Sequence, residues 1–412
     1  MKIAVCQLGA RLHYAAAERF HERGVLGRLY TDLYCSGPVL ALARLLTWFP
    51  RTKAIGDRLG SRRSAALPEY LVKQFPLLGL QYAAKLRRAK SRDELSGIFL
   101  WANETFERKV LAAGFADCDT VFAFNTAAAE IFETARQRGI RCVLEQTIAP
   151  KEVEEELLRD EYQRAGIEWR EDVFVRDIVA RERREWALAD LIVAGSPFVA
   201  ASLARLGVAS RKVAIVPYGV DRAPQTLAAT DRSPFDGRRP LQVLFIGNDM
   251  IRKGVRYLIE SVRGLGSGSI SVNVVGRISD EERRWLGQAE NVHFAGSIER
   301  PSVWRFLQES DVLVLPSLCE GSATATYEAL AVGLPVICTE NTGSIVTHGH
   351  DGYIVPPRDA GAITRCLQSL LDQPQLLEAM RANALMTAKS YTVETYGERL
   401  MAALSENRVS QI

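Results

Sequence analysis

The sequence has few cysteines and histidines, and none in a spacing that builds a disulfide framework or a metal site. Its seven cysteines form no C-x-x-C pair, and its histidines number five. An odd set of widely spaced cysteines argues against a disulfide scaffold or a zinc site and fits a reducing compartment. No Asp-x-Asp motif lies in a suitable loop either. The sequence therefore predicts free thiols and no metal.

Long hydrophobic runs are also absent. The apolar stretch "VLALARLLTWF" has 11 residues and is interrupted by Arg44, whereas about 20 residues are needed to cross a bilayer. The N-terminal stretch "MKIAVCQLGARLHYAAAERF" begins as a strand, without the basic region and apolar core of a signal peptide. We therefore expect a cytoplasmic protein.

The composition is that of a soluble globular protein. The 412 residues are 47% hydrophobic and 25% charged, which is ordinary for a globular chain and enough for two domains with full cores. A formal net charge of +3 gives no reason to expect a nucleic-acid partner.

Short apolar runs alternate with helical periodicity in two successive series. In the first series, "DTVFAF", "NTAAAEIFETARQRG" and "IRCVLEQ" have the pattern of a strand–helix–strand unit, and the theme restarts with "LQVLFIG" at residue 241. The pattern predicts an α/β protein with two doubly wound domains, at 1–216 and 217–389. The aperiodic segment 218–240 is the predicted linker, and residues 390–412 are predicted to pack back on the first domain as a helix.

Residues 44–92 do not follow this scheme. They contain 12 Lys or Arg and two acidic residues, a net charge of +10, with apolar clusters such as "LLTWFP" and "FPLLGLQYAAKL" between them. This composition suits contact with an anionic membrane surface or an anionic acceptor. A solvated insertion with its aromatics packed on the domain remains the alternative. Membrane contact would make the protein peripheral at the inner face of the cell membrane.

Two stretches of the second series carry the features of an anion site. In "FIGNDMIRKGVRYLIES", Arg252 and Lys253 stand where a helix begins, and helix N-termini attract phosphate. Cations there disfavour the helix itself, so an adjacent pair suggests an anionic ligand. In "PSLCEGSATATYEALAVGLP", a small-residue loop follows a strand, where open α/β sheets bind ligands. Glu320 and Glu328 flank that loop as acceptors for ligand hydroxyl groups.

These stretches resemble the retaining family 4 glycosyltransferases, also called glycosyl transferases group 1. "EGSATATYEALAVGLPVICT" is similar to their E-x7-E signature, and "PYGVD" resembles their P-N-G-V-D. "RKGVRYLIES" and "GSIVTHGHDGYIVPPRDAGAI" are similar to their lysine segment and closing motif. The resemblance covers roughly residues 185–365 and extends over 1–150 only as a general α/β pattern.

The resemblance implies a GT-B fold, two facing Rossmann-like domains with a nucleotide-sugar in the cleft between them. It implies that Glu320 holds sugar hydroxyls, that Glu328 binds the ribose and that Lys253, helped by Arg252, binds the diphosphate. Glu320, Lys253 and Arg252 are thus the expected catalytic residues. The remaining expected contacts to the nucleotide-sugar are Gly9, Ala10, Asn248, Ile298, Gly321, Ser322, Ala323 and Thr324.

The sequence departs from the family at two positions. Asn248 stands where the family often has an arginine, and "CVLEQTIAP" offers Glu145, Gln146 and Thr147 where the family often has a histidine. We expect a retaining, metal-independent glycosyltransferase of the hexosyltransferase type, needing no cofactor besides its nucleoside-diphosphate-sugar substrate. Its acceptor would be a glycan, glycolipid or small molecule of bacterial glycan or glycolipid synthesis. A nucleotide-sugar epimerase-like enzyme on the same fold, or a non-catalytic sugar-nucleotide-binding protein, remain alternatives.

Overall fold

A computed structural model of the chain describes residues 1–49, 52–220, 234–266, 268–287 and 289–409. Most of the predicted linker, residues 221–233, lies outside the described residues. The described chain contains two parallel sheets flanked by helices, which confirms the predicted α/β class with two doubly wound units. We call the part that holds the first sheet the N-terminal domain and the part that holds the second sheet the C-terminal domain.

The N-terminal sheet has seven parallel strands in the order β3-β2-β1-β4-β5-β6-β7. The strands are β1 (Ile3–Cys6), β2 (Leu26–Thr31), β3 (Val72–Gln74), β4 (Thr120–Phe124), β5 (Arg141–Gln146), β6 (Leu191–Ala194) and β7 (Val213–Ile215). The helices are α1 (Ala15–Glu22), α2 (Gly37–Thr47), α3 (Lys53–Gly60), α4 (Pro76–Arg88), α5 (Arg92–Ala113), α6 (Ala129–Gln137), α7 (Lys151–Ala165), α8 (Val175–Leu188) and α9 (Pro197–Arg205).

The C-terminal sheet has six parallel strands in the order β10-β9-β8-β11-β12-β13. The strands are β8 (Leu241–Ile246), β9 (Ile270–Val275), β10 (Val292–Gly296), β11 (Val312–Leu315), β12 (Val336–Thr339) and β13 (Gly352–Val355). The helices are α10 (Val255–Val262), α11 (Asp280–Leu286), α12 (Arg300–Glu309), α13 (Thr324–Ala331), α14 (Ala360–Asp372), α15 (Pro374–Lys389) and α16 (Val393–Val409).

The strands are apolar on both faces because helices cover both sides of each sheet. Along β4, Val121 and Ala123 belong to one core cluster while Phe122 and Phe124 belong to the cluster on the other face. All four are at most 3% exposed. Parallel sheets of this kind give continuous apolar runs instead of alternating ones, and each buried large side chain contributes about 1.5–3 kcal/mol.

The last helix, α16, returns to the N-terminal domain. Tyr396, Leu400 and Leu404, which share one helical face in the sequence, are all at most 1% exposed and join the core beside α1. The Arg141 guanidinium, at the start of β5, donates a hydrogen bond of 2.7 Å to the Leu404 carbonyl. The chain therefore passes from the C-terminal domain back to the first sheet at Ser390–Val393.

The basic segment 44–92 is mostly helical in the described residues. It includes the end of α2, all of α3 and α4, and the short edge strand β3. Helices α2–α4 and strands β2 and β3 were not predicted from the sequence, because their apolar residues lack the continuous pattern of the central strands. Among the described helices, none combines the length and the apolar character required to cross a membrane.

Candidate active site

The carboxyl ends of the two sheets meet at the boundary between the domains. The loop after β11 approaches the turn after β5 so closely that a Cβ on Gly321 would lie 1.9 Å from the Thr147 carbonyl oxygen. The Ser196 hydroxyl, at the end of β6, donates a hydrogen bond of 2.5 Å to the Gly321 carbonyl. Only glycine fits this contact, so the small-residue loop predicted from sequence lies against the opposite domain.

A compact ion cluster joins three of the predicted residues. The Glu320 Oε1 atom lies 2.5 Å from Lys253 Nζ and 3.1 Å from Arg252 Nη1. These three side chains are only 12–15% exposed. Lys253 and Arg252 come from the turn between β8 and α10, and Glu320 comes from the loop after β11. The neighbouring strands β8 and β11 bring both loops to one edge of the sheet.

The two cations keep Glu320 ionised. Burial alone would raise the pKa of the Glu320 carboxyl, but the charges of Lys253 and then Arg252 outweigh burial and hold the pKa below its ordinary value. Desolvation would lower the pKa of Arg252, but the charges of Glu320, Asp249 and Glu154 raise it overall. Glu320 and Arg252 are therefore charged at neutral pH.

Arg252 is held more firmly than Lys253. Its Nη1 atom donates to the Cys319 carbonyl at 2.7 Å, and its Nε atom lies 3.0 Å from Asp249 Oδ2. A carboxylate of the opposite domain, Glu154 of α7, lies 3.8 Å from the same Nε. Lys253 instead lies along Gly247, where its side-chain carbons occupy the space that a Cβ would need. The geometry thus gives Lys253 the freer ammonium and Arg252 a fixed orientation.

Glu328 lies inside α13 and is 3% exposed. Thr324, the first residue of that helix, is exposed, and Ser322 is buried with its hydroxyl 2.6 Å from the Tyr327 hydroxyl. The Ala323 N–H donates to the Thr342 carbonyl at 3.2 Å. The amide of one of the expected contact residues, Ala323, therefore already has a protein acceptor.

The glycine loop after β1 is also partly committed. The Gly9 N–H donates to Asp32 Oδ1 at 3.1 Å, and the buried Gln7 side chain donates to the Gly9 carbonyl at 3.0 Å. Ala10 is half-buried and opens a turn in which Leu12 has a left-handed φ of 44°. The loop lies at the carboxyl end of β1 as expected, but the Gly9 amide has an acceptor in Asp32.

Asn248 and Glu145 depart from the family motifs and have hydrogen-bond partners, whereas Ile298 is an expected contact residue. Asn248 is exposed, and its side-chain oxygen accepts a hydrogen bond of 3.1 Å from the Arg277 N–H. Ile298 is half-buried between β10 and α12. Glu145 is 1% exposed, and the Tyr396 hydroxyl donates to it at 3.3 Å. Asn248 therefore lies just after β8, and its side chain holds the loop that follows β9.

Sequence reasoning missed several residues at this boundary. Arg11, after the glycine loop, is exposed and donates to the Thr147 hydroxyl at 2.9 Å. Ser196 binds the loop after β11 through the Gly321 carbonyl. Both lie in the loops after strands, Arg11 five residues after β1 and Ser196 two residues after β6, at the last positions of "CQLGAR" and "LIVAGS". Position after a buried strand was the only sequence signal that pointed to them.

The domains are also joined by α7. Glu161 is 1% exposed and accepts hydrogen bonds of 2.9 and 2.8 Å from the Tyr257 hydroxyl of the C-terminal domain. Arg358, also of the C-terminal domain, binds Glu161 Oε2 at 3.0 Å, Asp160 at 3.1 Å and the Leu157 carbonyl at 3.0 Å. We call Glu161, Tyr257 and Arg358 the α7 clasp.

Comparison with known proteins agrees with this geometry. The profile of the family "Glycosyl transferases group 1" matches residues 240–373. This stretch contains the turn with Arg252 and Lys253, the loop with Glu320, and helix α13. The chain carries a glycosyl transferases group 1 domain. That domain covers the strands from β8 to β13 and reaches the end of α14.

Curated relatives are similar over part of the chain. A putative colanic acid biosynthesis glycosyltransferase, WcaL of Salmonella typhimurium, is 27% identical over 57% of this chain and 62% of its own length. The D-rhamnosyltransferase WbpZ of Pseudomonas aeruginosa is 28% identical over 47% of this chain and 53% of its own length. The chain thus spans less than two-thirds of the length of these relatives.

Solved structures share the fold across the whole chain. The sucrose-phosphate synthase of Thermosynechococcus elongatus superposes with a TM-score of 0.61 at 16% identity, covering 100% of both chains. Anabaena HepE, solved in complex with UDP-glucose, superposes with a TM-score of 0.59 at 14% identity, covering 98% of this chain and 100% of its own. The chain has the GT-B fold, as the sequence predicted.

Proposed function

We propose that this chain transfers a sugar from a nucleoside-diphosphate-sugar to an acceptor, with retention at the anomeric carbon. The observation that carries the proposal is the buried cluster of Glu320, Lys253 and Arg252 at the edge where the two sheets meet. An ionised carboxylate suits sugar hydroxyls, and the two cations suit the leaving diphosphate. The glycosyl transferases group 1 domain around them supports this assignment.

Bond cleavage leaves negative charge on the departing diphosphate. Fixed cations aimed at that charge stabilise the transition state, and Lys253 and Arg252 would supply them. Both cations are paired with Glu320. A diphosphate would compete for them and release the carboxylate to the sugar. Amides at the start of α13, around Ser322 and Thr324, would bind the same phosphates.

The acceptor hydroxyl would attack from the face that the diphosphate leaves. Its proton would then pass to the departing phosphate oxygen, so the proposed reaction needs no covalent enzyme intermediate. We propose that the reaction is independent of metal because the two cations take the place of a divalent ion. Activity should therefore survive treatment with a chelator, and restoration of lost activity by Mg²⁺ would contradict this.

The donor base and sugar can be found by thermal shift with UDP-, GDP-, ADP- and TDP-sugars. A ligand that binds only the folded chain stabilises it by about 2.7 kcal/mol at one hundred times its dissociation constant. Without an acceptor, the stabilising donor should be hydrolysed slowly to the nucleoside diphosphate. If no donor stabilises the chain and none is hydrolysed, the proposal is contradicted. Conversion of the sugar to an epimer would favour the epimerase-like alternative.

The curated relatives suggest where such a transfer belongs. WcaL carries colanic acid biosynthesis in its name, and WbpZ is a D-rhamnosyltransferase. We propose that this chain also acts in bacterial glycan or glycolipid synthesis. Transfer of labelled sugar from the stabilising donor into a lipid extract or a polysaccharide fraction of bacterial cells tests this, with a Glu320→Gln variant as the inactive control.

A further inference from the structure

Large apolar side chains are exposed in one part of the N-terminal domain. Trp48 is 85% exposed, Leu77 is 71% exposed, and Leu45, Phe49 and Leu80 are each 57% exposed. Four more exposed large apolar side chains of the described chain lie in or just after the same part of the sequence: Ile55, Tyr70, Leu95 and Phe99. The others, Val173, Ile215 and Met386, lie far apart in the sequence. Single exposed apolar residues are normal on protein surfaces, whereas a concentration of them marks an interaction site.

The exposed apolar side chains recur at helical spacing, and exposed arginines lie at helical spacing from them. On α2, Leu45 lies three residues before Trp48, and the exposed Arg44 lies four before it. On α4, Leu77 and Leu80 are three residues apart, and the exposed Arg88 follows Leu80 by eight. Residues three, four and eight apart lie on one side of a helix. Each helix therefore exposes apolar side chains and an arginine on the same side.

The two helices begin side by side. The strands β2 and β3 that precede them are neighbours in the sheet. The Gln74 side chain, just before α4, donates a hydrogen bond of 3.0 Å to the hydroxyl of Ser36, just before α2. Both helices therefore leave the carboxyl edge of the N-terminal sheet, the edge that meets the C-terminal domain. We call the exposed residues of α2 and α4 with Trp48 and Phe49 the α2–α4 face.

Positive charge accompanies the apolar residues. Within 44–92 the net charge is +10. Arg62 is not free for a partner, because it binds both oxygens of the buried Asp32 at 2.6 Å. Arg44, Arg87 and Arg88 are exposed. The surface offered to a partner thus combines bulky apolar side chains with unshielded cations.

We propose that the α2–α4 face binds the surface of a membrane that contains anionic phospholipids. Apolar side chains would enter the interface while the arginines pair with lipid phosphates. A soluble anionic polymer would leave Trp48, Phe49 and Leu77 without a partner, so the lipid surface fits both halves of the face. This inference rests on the proposed function only for its purpose, which is to bring a lipid-linked acceptor to the carboxyl edge of the sheet.

Co-sedimentation of the full chain with vesicles tests the proposal without any turnover. We expect binding to phosphatidylcholine vesicles that contain phosphatidylglycerol and none to phosphatidylcholine alone. Binding should disappear in molar salt, where the screening length falls to about 3 Å. Equal binding to both vesicle types, or none to the anionic ones, would overturn the proposal. Sugar transfer in solution is measured separately, so either proposal can fail alone.

Paired variants separate the two contributions. Arg87→Ser with Arg88→Ser should weaken binding about fivefold for each charge removed, and Trp48→Ser with Phe49→Ser should weaken it at least tenfold. The control pairs are Arg238→Ser with Arg365→Ser, which are 90% and 74% exposed, and Val173→Ser with Met386→Ser. Both control pairs should bind as the wild type does. Equal loss in test and control pairs would overturn the proposal.

A second copy of the chain is the competing occupant. Mass measurement in solution distinguishes it, because a self-association through this face would be abolished by Trp48→Ser with Phe49→Ser. A monomer that binds anionic vesicles supports the lipid surface. A dimer that dissociates in that variant and ignores vesicles would overturn it.

Discussion

At the scale of single residues, the site depends on whether the carboxylate of Glu320 is charged. Glu320→Gln keeps the shape and removes the partner of two cations that are only 14–15% exposed. We expect turnover to fall at least tenfold, about 1.4 kcal/mol of transition-state stabilisation. Glu309→Gln, which alters a surface glutamate 3.7 Å from Arg305 in the same domain, is the control and should keep wild-type turnover. Unchanged rates in Glu320→Gln would rule out its role.

Lys253 and Arg252 should respond differently because Arg252 has polar partners besides Glu320, namely the Cys319 carbonyl and Asp249. Lys253→Ala should lower turnover at least tenfold with little change in melting temperature. Arg252→Ala should lower the melting temperature as well, since the Cys319 carbonyl loses its donor. Kinetics and thermal melts of both variants check this. Normal turnover in Lys253→Ala would contradict the leaving-group role.

Glu145 should make stability depend on pH. Burial raises the pKa of its carboxyl to about 7, against the hydroxyls of Tyr218 and Tyr396 and the charge of Arg11, which lower it. The folded state therefore holds the proton more tightly than the unfolded state, and stability falls as pH rises from about 4.5 to about 7. Glu145→Gln removes this loss, which amounts to about 3 kcal/mol at most.

The measurement is the melting temperature of Glu145→Gln minus that of the wild type. This difference should rise by a few degrees between pH 5 and pH 8. Glu309→Gln, which makes the same substitution at a glutamate that is 63% exposed, is the matched control. A constant difference in Glu145→Gln would show that its carboxyl is ionised in the folded chain throughout.

Where a motif fixed both residue type and loop, the sequence indicated which residues lie close together, and their roles stay predictions. Glu320, Lys253 and Arg252 lie together as the resemblance implied. It did not predict that the Gly9 and Ala323 amides would have protein acceptors, because Asp32 and Thr342 lie far from them in the chain. Contacts between distant segments leave no local pattern, so Arg11 and Ser196 also went unseen.

At the scale of elements, the chain crosses between the domains near Val220 and again near Thr392. These two crossing segments lie against each other. The Val220 N–H donates to the Tyr391 carbonyl at 3.0 Å, and Val220 pairs with Thr392 as an isolated β-bridge. A Cβ on Gly219 would lie 2.1 Å from the Thr392 carbonyl oxygen. Buried strands and the long periodic helices could be predicted from sequence, but this crossing involves residues far apart in the chain with no periodic pattern.

Gly219→Ala should therefore disturb the crossing of the two segments. The clash is with backbone, which cannot move aside as a flexible side chain can, and we expect a loss of about 2 kcal/mol or more in stability with lower turnover. Gly264→Ala, whose Cβ would meet no heavy atom within 4 Å, is the control. Thermal melts and donor hydrolysis check both variants. Wild-type behaviour of Gly219→Ala would show that the crossing relaxes without cost.

At the scale of the whole molecule, the α7 clasp connects the domains beside the site. It adds to the contacts of Gly321 with Thr147 and Ser196, and Glu154 of the same helix faces Arg252. No sequence pattern foretold it, because the acidic stretch "KEVEEELLRDEYQRA" is also that of a solvated helix. In the clasp, Glu161 of α7 binds Tyr257 of α10 and Arg358 after β13, both in the C-terminal domain.

Breaking the clasp should therefore open the domains. Arg358→Ala removes an ion pair from Glu161, which is 1% exposed, and losing one partner of a buried pair costs about 3–5 kcal/mol. Arg358 is itself 20% exposed, so we expect the lower end of that range. Part of the cost can be avoided if the domains separate and water reaches Glu161. We expect a larger radius of gyration by small-angle scattering and a weaker affinity for the donor.

Arg365→Ala is the matched control, since Arg365 is 74% exposed and lies 3.8 Å from Asp359 in the same domain. It should scatter as the wild type does. Saturating donor should restore the compact form of Arg358→Ala, because a ligand held by both domains favours closure. A radius of gyration that matches the wild type without donor would show that the Gly321 contacts with Thr147 and Ser196 hold the domains together without the clasp.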